Sequence, residues 1–289
     1  MKQKFSKVPY IMLTPFFVLF MCFFVYPLIY SLYISLFIKR AGNSIFVGFQ
    51  NYEVVLKDEL FWEGLQRVLY FGVVQITFMI IFAVFLALII DSPFVKAKSF
   101  FRLVIFLPYA VPAVIAGIMW GFLYSPQLNT FSQYLRVFNN GDAFNVLSDQ
   151  YILYGIMNIV TWSWIGYNMT IYIASLTSVS PELFDAAEID GCTEFQKAWH
   201  IKLPLIRPTI LMMTVLSIIG TIQLFNEPYV LARLANLIQS YTPNMYIYNM
   251  AFSYGNIPRA AAMSTVLTLI TFVLTMIVLY VTRRQEKVE

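Results

Sequence analysis

Long apolar runs separated by short polar ones dominate this chain. Runs near residues 9–37, 67–90, 103–124, 151–177, 209–232 and 260–282 each predict a helix long enough to cross a membrane. Pro15 and Pro27 fall inside the first run and predict kinks or a long tilted helix there. The pattern changes most sharply between the fourth and fifth runs. There the chain reads Ser180-Pro181-Glu182-Leu183-Phe184-Asp185-Ala186-Ala187-Glu188-Ile189-Asp190-Gly191, and it continues to Ile201-Lys202-Leu203-Pro204. This stretch predicts a helix–turn–helix hairpin. Ser180 can accept the first free N–H groups, and Pro181 fits the first helical position. Glu182 and Asp185 sit where the helix dipole favours negative charge. Gly191 can end the first helix in a left-handed conformation. Thr193-Glu194-Phe195-Gln196 is a capping box for a second helix, which Pro204 and Pro208 should stop. Leu183, Phe184 and Ala187 fall on one face of the first helix, with Glu182, Asp185 and Glu188 opposite. Ala186 and Ala187 are small enough to let another protein approach closely.

Composition removes the soluble classes. Of 289 residues, 60% are hydrophobic, 18% aromatic and only 12% charged. The net charge of +4 is therefore read by location, not as a nucleic-acid signal. If both termini lie inside, Lys2, Lys4, Lys7, Lys96, Lys98, Arg102, Lys197, Lys202, Arg207, Arg283, Arg284 and Lys287 are inside too, 12 of the 19 lysines and arginines. That bias puts both termini and the hairpin in the cytoplasm. The basic, then apolar N-terminus resembles a signal peptide, but the run from Pro9 to Phe37 is too long for one and reads as a retained helix. Cys22 and Cys192 fit neither a disulfide framework nor a metal site. There is no phosphate-binding loop, so the chain does not bind ATP in that way. Charges are nearly missing from the apolar runs, which argues against a proton- or sodium-driven carrier. No catalytic constellation points to an enzyme, and no cofactor is implied.

Amides inside a membrane need partners or water, so they face protein or a cavity. The fourth run carries Asn158, Trp162, Ser163, Trp164, Tyr167, Asn168 and Tyr172. The fifth ends in Gln223 and the pair Asn226-Glu227, with Pro228 expected to break the helix. Sugars are held by amides and hydroxyls together with aromatic rings. Asn158, Trp162, Tyr167, Asn168, Gln223 and Asn226 are therefore candidates for a substrate path. Interhelical hydrogen bonding with an aromatic belt explains the same residues equally well. Ala113, Gly117 and Gly121 recur every four residues and read as a packing stripe. His200 reads as structural or surface-exposed. The polar loop 125–150, with a turn at Asn139-Asn140-Gly141-Asp142, is either a surface for an extracytoplasmic partner or a connector.

A family resemblance joins these observations. Asp185-Ala186-Ala187, Asp190-Gly191-Cys192 and Leu203-Pro204 resemble the EAA loop of ABC importer permeases. Asp185 stands for that motif's Glu and Cys192 for its last Ala, and one residue is missing from the usual spacing. Phe46 to Tyr52, Asp58 to Phe61, Arg102 to Pro108, Tyr241 to Asn249 and Ala260 to Ser264 are also similar to sugar-importer permeases. The likeness is to the MalF-like branch and covers nearly the whole chain. It implies an all-α membrane protein with six transmembrane helices, the type I ABC importer permease fold and a cytoplasmic EAA coupling helix. Residues 1–64 would form an N-terminal helix and outer loop, 65–282 the permease domain with its EAA loop at about 180–204, and 283–289 a cytoplasmic tail. Leu183, Phe184, Asp185, Ala186, Ala187, Glu188, Asp190, Gly191, Leu203 and Pro204 would couple to the ATPase. The implied partners are a second, MalG-like permease, a dimer of ABC ATPases and an extracytoplasmic sugar-binding protein, in a bacterial or archaeal plasma membrane. The implied activity is ATP-driven import of an oligosaccharide or other sugar. The alternatives are a glycerol-3-phosphate or glycerophosphodiester permease, an ATP-independent secondary carrier, and a non-transport membrane protein. The first should show cationic groups at its cavity, and only Arg233 and Arg259 lie near the outer ends.

Overall fold

The computed structural model describes residues 8–40, 42–125, 145–235 and 237–286. The turn expected at Asn139–Asp142 and the cations Lys2, Lys4, Lys7 and Lys287 lie outside them. In chain order the elements begin with helices α1 (Val8–Phe20) and α2 (Tyr26–Ile34), strands β1 (Phe37–Arg40) and β2 (Asn43–Phe46), and α3 (Gln50–Leu56). There follow α4 (Glu59–Asp91), α5 (Lys98–Phe106), α6 (Ala113–Tyr124) and α7 (Ile152–Thr177). The hairpin helices α8 (Pro181–Ile189) and α9 (Glu194–Lys197) precede α10 (Leu203–Ile222), α11 (Asn226–Ala235), α12 (Pro243–Tyr248) and α13 (Ile257–Glu286). The helix expected to end by residue 282 thus runs four residues further.

The expected count of six spans is not reached by length and apolarity alone. Among the described residues four helices pass, Tyr10–Ile34, Glu59–Asp91, Glu194–Ile222 and Ile257–Tyr280. A fifth is counted if the bent pair Lys98–Ala110 and Ala113–Tyr124 is one span. Helix α7 is 26 residues long and uncharged, yet its Asn, Ser, Trp and Tyr side chains hold it below the apolarity of the others. The run 103–124, expected as one membrane-crossing helix, bends by 96°. Pro112 explains the bend, because it disfavours helical geometry at Val111, whose backbone is extended at φ −81°, ψ 124°.

The fifth run also differs from expectation. Pro204 and Pro208 do not stop the second hairpin helix, which continues as one apolar helix from Glu194 to Ile222. A π-turn at Ala198–Lys202 precedes Pro204, and the Leu203 N–H bonds the carbonyl of Ala198, five residues back. The ladder widens just before the residue that cannot donate to it. The same device, a π-turn at Met21–Val25, precedes Pro27 in the first span. The break expected at Pro228 falls earlier, at Gln223–Phe225, and Pro228 sits in the first turn of α11, where a missing N–H is harmless.

The chain divides into two compact units. The first comprises residues 1–61 and 246–270. Its antiparallel hairpin pairs Phe37 with Phe46 and turns at Gly42, φ +83°. The buried Asn51 amide donates to the carbonyls of Ser35 and Phe37, both at 2.7 Å, and the Tyr52 and Ser35 hydroxyls meet at 2.6 Å. Asn51-Tyr52 therefore ties off the C-terminal end of the first span. Asp58 accepts from the Arg259 guanidinium at 2.7 Å and from the Tyr246 hydroxyl at 2.9 Å.

The second unit comprises residues 62–245 and 271–289. One core cluster gathers Phe71, Tyr124, Ile152, Ile156, Leu224 and Leu231, and another Ala83, Ala87, Met169, Tyr172, Ile206 and Met213. Helix α7 contributes to both. At Gly166 it presses so close to the end of α5 that a Cβ would lie 1.9 Å from the Ile105 carbonyl oxygen. Gly117 and Gly121 pack against Val230, Leu231 and Leu234 of α11, as a packing stripe should, whereas Ala113 lines a cavity instead.

Candidate functional site

The polar hairpin folds from its own sequence. Thr193 and Gln196 form a reciprocal capping box: the Gln196 N–H donates to the Thr193 hydroxyl and the Thr193 N–H to Gln196 Oε1 at 2.8 Å. Gly191, at φ +78°, closes α8 with two bonds. Its own N–H donates to Glu188 O at 3.0 Å, and the Cys192 N–H donates to Ala187 O at 2.9 Å. That pair is the left-handed termination in which glycine avoids a Cβ clash. Ser180 does not cap α8 with its hydroxyl. The N–H it would have taken, that of Leu183, is used by Ser180's own carbonyl at 3.3 Å.

Burial divides the hairpin residues differently from the helical wheel. Ala187 is buried and Phe184 half-buried, while Leu183 is exposed alongside Asp185, Ala186, Glu188 and Asp190. Ile189, Phe195 and Trp199 are also exposed and extend the apolar surface. Beneath it lies a charged joint. Lys197 and Lys202 are each only 6% exposed, far below what a lysine tolerates unpaired. Lys197 pairs with Glu194 and, at 3.4 Å, with Glu188. Lys202 reaches Asp91, the last residue of α4, at 2.6 Å, and lies 5.4 Å from the centre of the Phe184 ring. The Asp91 carbonyl accepts from Lys98 at 2.7 Å, which brings α5 to the same point. Leu203 and Pro204 open α10 directly beyond Lys202.

A cavity of about 330 Å³ lies elsewhere in the same unit, where α10 breaks before α11. Its walls come from α4 (Phe71, Gln75, Met79), α7 (Trp164, Tyr167, Asn168), α10 (Ser217, Gly220, Thr221), the break (Gln223 to Phe225) and the start of α11 (Asn226, Glu227). Tyr109 stacks on Tyr167 at 4.7 Å between ring centres and fixes that ring. Asn168 is 1% exposed; its amide donates to Trp164 O at 3.0 Å, while its Oδ1 has no partner. Gln75 donates to the Thr161 hydroxyl at 3.3 Å. Glu227 is 7% exposed in the first turn of α11.

Of the six path candidates, Tyr167, Asn168, Gln223 and Asn226 line this cavity together. Asn158 and Trp162 do not. The Asn158 amide donates to the Tyr124 hydroxyl at 2.8 Å, and Trp162 packs edge-on against Trp120 at 5.7 Å. Gln75, Ser217 and Thr221 were missed. Gln75 could have been found as the single amide in the run 67–90, whereas nothing distinguishes Ser217 and Thr221 from ordinary hydroxyls of a membrane helix.

A hairpin that presents apolar side chains beside a buried charge joint, together with an amide-lined cavity between helices, suits a transport subunit. Residues 79–287 match the model of the binding-protein-dependent transport system inner membrane component. The chain belongs to this family. A lactose transport system permease protein, LacF of Rhizobium radiobacter, is 30% identical over 99% of this chain and 97% of its own length. The arabinooligosaccharides permease AraP of Bacillus subtilis is 27% identical over 94% of this chain and 87% of its own. The sn-glycerol-3-phosphate permease UgpA of Agrobacterium fabrum is 30% identical over 93% and 92%. A crystal structure of a bacterial ABC transporter that imports the acidic polysaccharide alginate superposes with a TM-score of 0.82 at 20% identity, covering 96% of this chain and 95% of its own. The expected importer-permease fold is therefore shown. This inner-membrane component is the permease subunit of an ABC importer and is not itself an enzyme.

Proposed function

We propose that this permease carries an oligosaccharide or other sugar through the cavity between α4, α7 and α10. The observation that supports this is the lining itself: Gln75, Asn168, Gln223 and Asn226 with the rings of Trp164 and Tyr167. Amides meet hydroxyls in either direction, and flat rings cover the apolar faces of a sugar. Glycerol 3-phosphate, the solute named for UgpA, would call for a cation, and none lines the cavity among the described residues.

In this reading the solute arrives on an extracytoplasmic binding protein. A second, MalG-like permease supplies the facing half of the path, and an ABC ATPase dimer docks on the hairpin from the cytosol. The permease domain spans 65–282, with both termini and the coupling loop at 180–204 inside. Leu183 and Phe184, with the small Ala186 and Ala187, give α8 its apolar docking surface, and Asp185, Glu188 and Asp190 keep it in water. Gly191 fixes the angle to the second helix, and Leu203 and Pro204 begin the span that is moved. ATP-driven closure of the ATPases shifts the hairpin as a rigid piece, and the spans rock to open the cavity outward.

Two measurements test this reading. With native Cys22 and Cys192 replaced by serine, Ile189→Cys should label from the cytosolic side only and crosslink to a nucleotide-hydrolysing subunit. Labelling from outside sinks the coupling assignment. Asn168→Ala and Gln223→Ala should each lower sugar uptake in reconstituted importer. Unchanged uptake kinetics at both, and at Tyr167 and Asn226, removes the path.

A further inference from the structure

The cavity is biased toward hydrogen-bond acceptors. Glu227 is a carboxylate with 93% of its surface buried, and no ion pair reaches it among the described residues. Asn168 adds a buried acceptor, Oδ1, that no donor satisfies. No Lys, Arg or His lines the space among the described residues. Buried acceptors without donors are costly, and a solute that brings donors relieves that cost. A phosphate or carboxylate brings more acceptors and negative charge to the same place. From this we infer that Glu227 is the selectivity residue of the path: it accepts hydroxyls of an uncharged sugar and turns away sugars bearing phosphate or carboxylate.

The inference rests on the cavity being the solute path, and it narrows what that path takes. It separates this chain from two of its likenesses, since UgpA is named for a phosphate ester and the solved transporter imports an acidic polysaccharide. Glu227 sits where it can act on selection. It occupies the first turn of α11, just after the break, and Gln223 and Asn226, which also line the cavity, precede it on the same short segment. Those amides can turn either way to suit a solute, and the Glu227 carboxyl adds acceptor oxygens to the same segment.

The test uses the complete importer in lipid nanodiscs, with competition of sugars against a tritiated neutral trisaccharide, raffinose. The competitors are trigalacturonate and sn-glycerol 3-phosphate. In the wild type raffinose should bind and the two anions should fail to displace it. Glu227→Ala should weaken raffinose about 10-fold or more, the loss typical of a hydrogen bond to a charged group. Glu227→Gln should weaken it less and let trigalacturonate compete. Assembly of the Gln variant, which keeps shape and volume, is checked by size exclusion. Anions displacing raffinose from the wild type, anions alone binding it, or identical competition in wild type and Glu227→Gln would each overturn the inference. Ser217→Trp is the separate control on the path. If it fills the cavity without affecting raffinose, the path reading itself fails; if it blocks binding while Glu227 variants behave as wild type, only the selectivity claim falls.

Discussion

At Gly166 there is no room for a methyl group. The neighbour a Cβ would strike, at 1.9 Å, is a backbone carbonyl of α5 and not the end of a flexible side chain. Gly166→Ala should therefore destabilise the protein by about 1–3 kcal/mol or more, read as a lower midpoint of thermal unfolding of the purified importer. Gly220→Ala, where nothing lies within 4 Å of the added carbon, should leave that midpoint unchanged. Gly191 is constrained differently: space is open around it, but φ is +78°. Gly191→Ala should cost about 1 kcal/mol in the hairpin, and Gly191→Pro should also abolish the left-handed turn and the bond from its N–H. The sequence made the Gly191 constraint readable because helix termination is local. It made Gly166 invisible, because the reason for that glycine lies 61 positions away at Ile105.

The elements meet most tightly where α4 ends. Asp91 accepts the Lys202 ammonium on its side chain and the Lys98 ammonium on its carbonyl. The side chains of Lys202 and Asp91 are 8% and 22% exposed, so this pair is shielded from solvent far better than a surface ion pair. Removing one partner leaves a poorly solvated charge. Asp91→Asn or Lys202→Met should each lower stability by about 3 kcal/mol, measured by thermal unfolding in detergent, and joining the two substitutions should cost less than their sum. The hairpin above this joint was legible in advance, because capping boxes and glycine turns are read from residues three or four apart. The behaviour of the spans was not. A proline signals a break, but not whether it is met by a π-turn, as before Pro27 and Pro204, or by a sharp bend, as at Val111-Pro112. The cavity was half legible for a related reason. Tyr167 and Asn168 announce themselves as polar residues in one helix, yet the space they line is closed by Gln75 and Thr221 from two other helices, and no local pattern marks that meeting.

At the scale of the molecule, the hairpin and the cavity are separate places on one unit, and the transport reading requires that they be energetically linked. Spatial arrangement alone is not evidence of that linkage; a change at one site that depends on the other is. Helix α10 is the physical candidate for the link, since Lys202, immediately before its start, belongs to the charge joint and Ser217, Gly220 and Thr221 near its end line the cavity. A rigid helix displaced at one end must move at the other unless its neighbours give way. In a background with Cys22 and Cys192 replaced by serine, a cysteine at Thr221 should alkylate at one rate in the resting importer and at a clearly different rate when vanadate traps the ATPases closed. Gly191→Pro should erase the difference while leaving the resting rate intact, because it disconnects the hairpin without touching the cavity. Equal rates with and without vanadate, in a complex that still hydrolyses ATP and imports sugar, would mean the motor opens a path other than this one. A difference that survives Gly191→Pro would mean the movement reaches the cavity by a route that bypasses the hairpin.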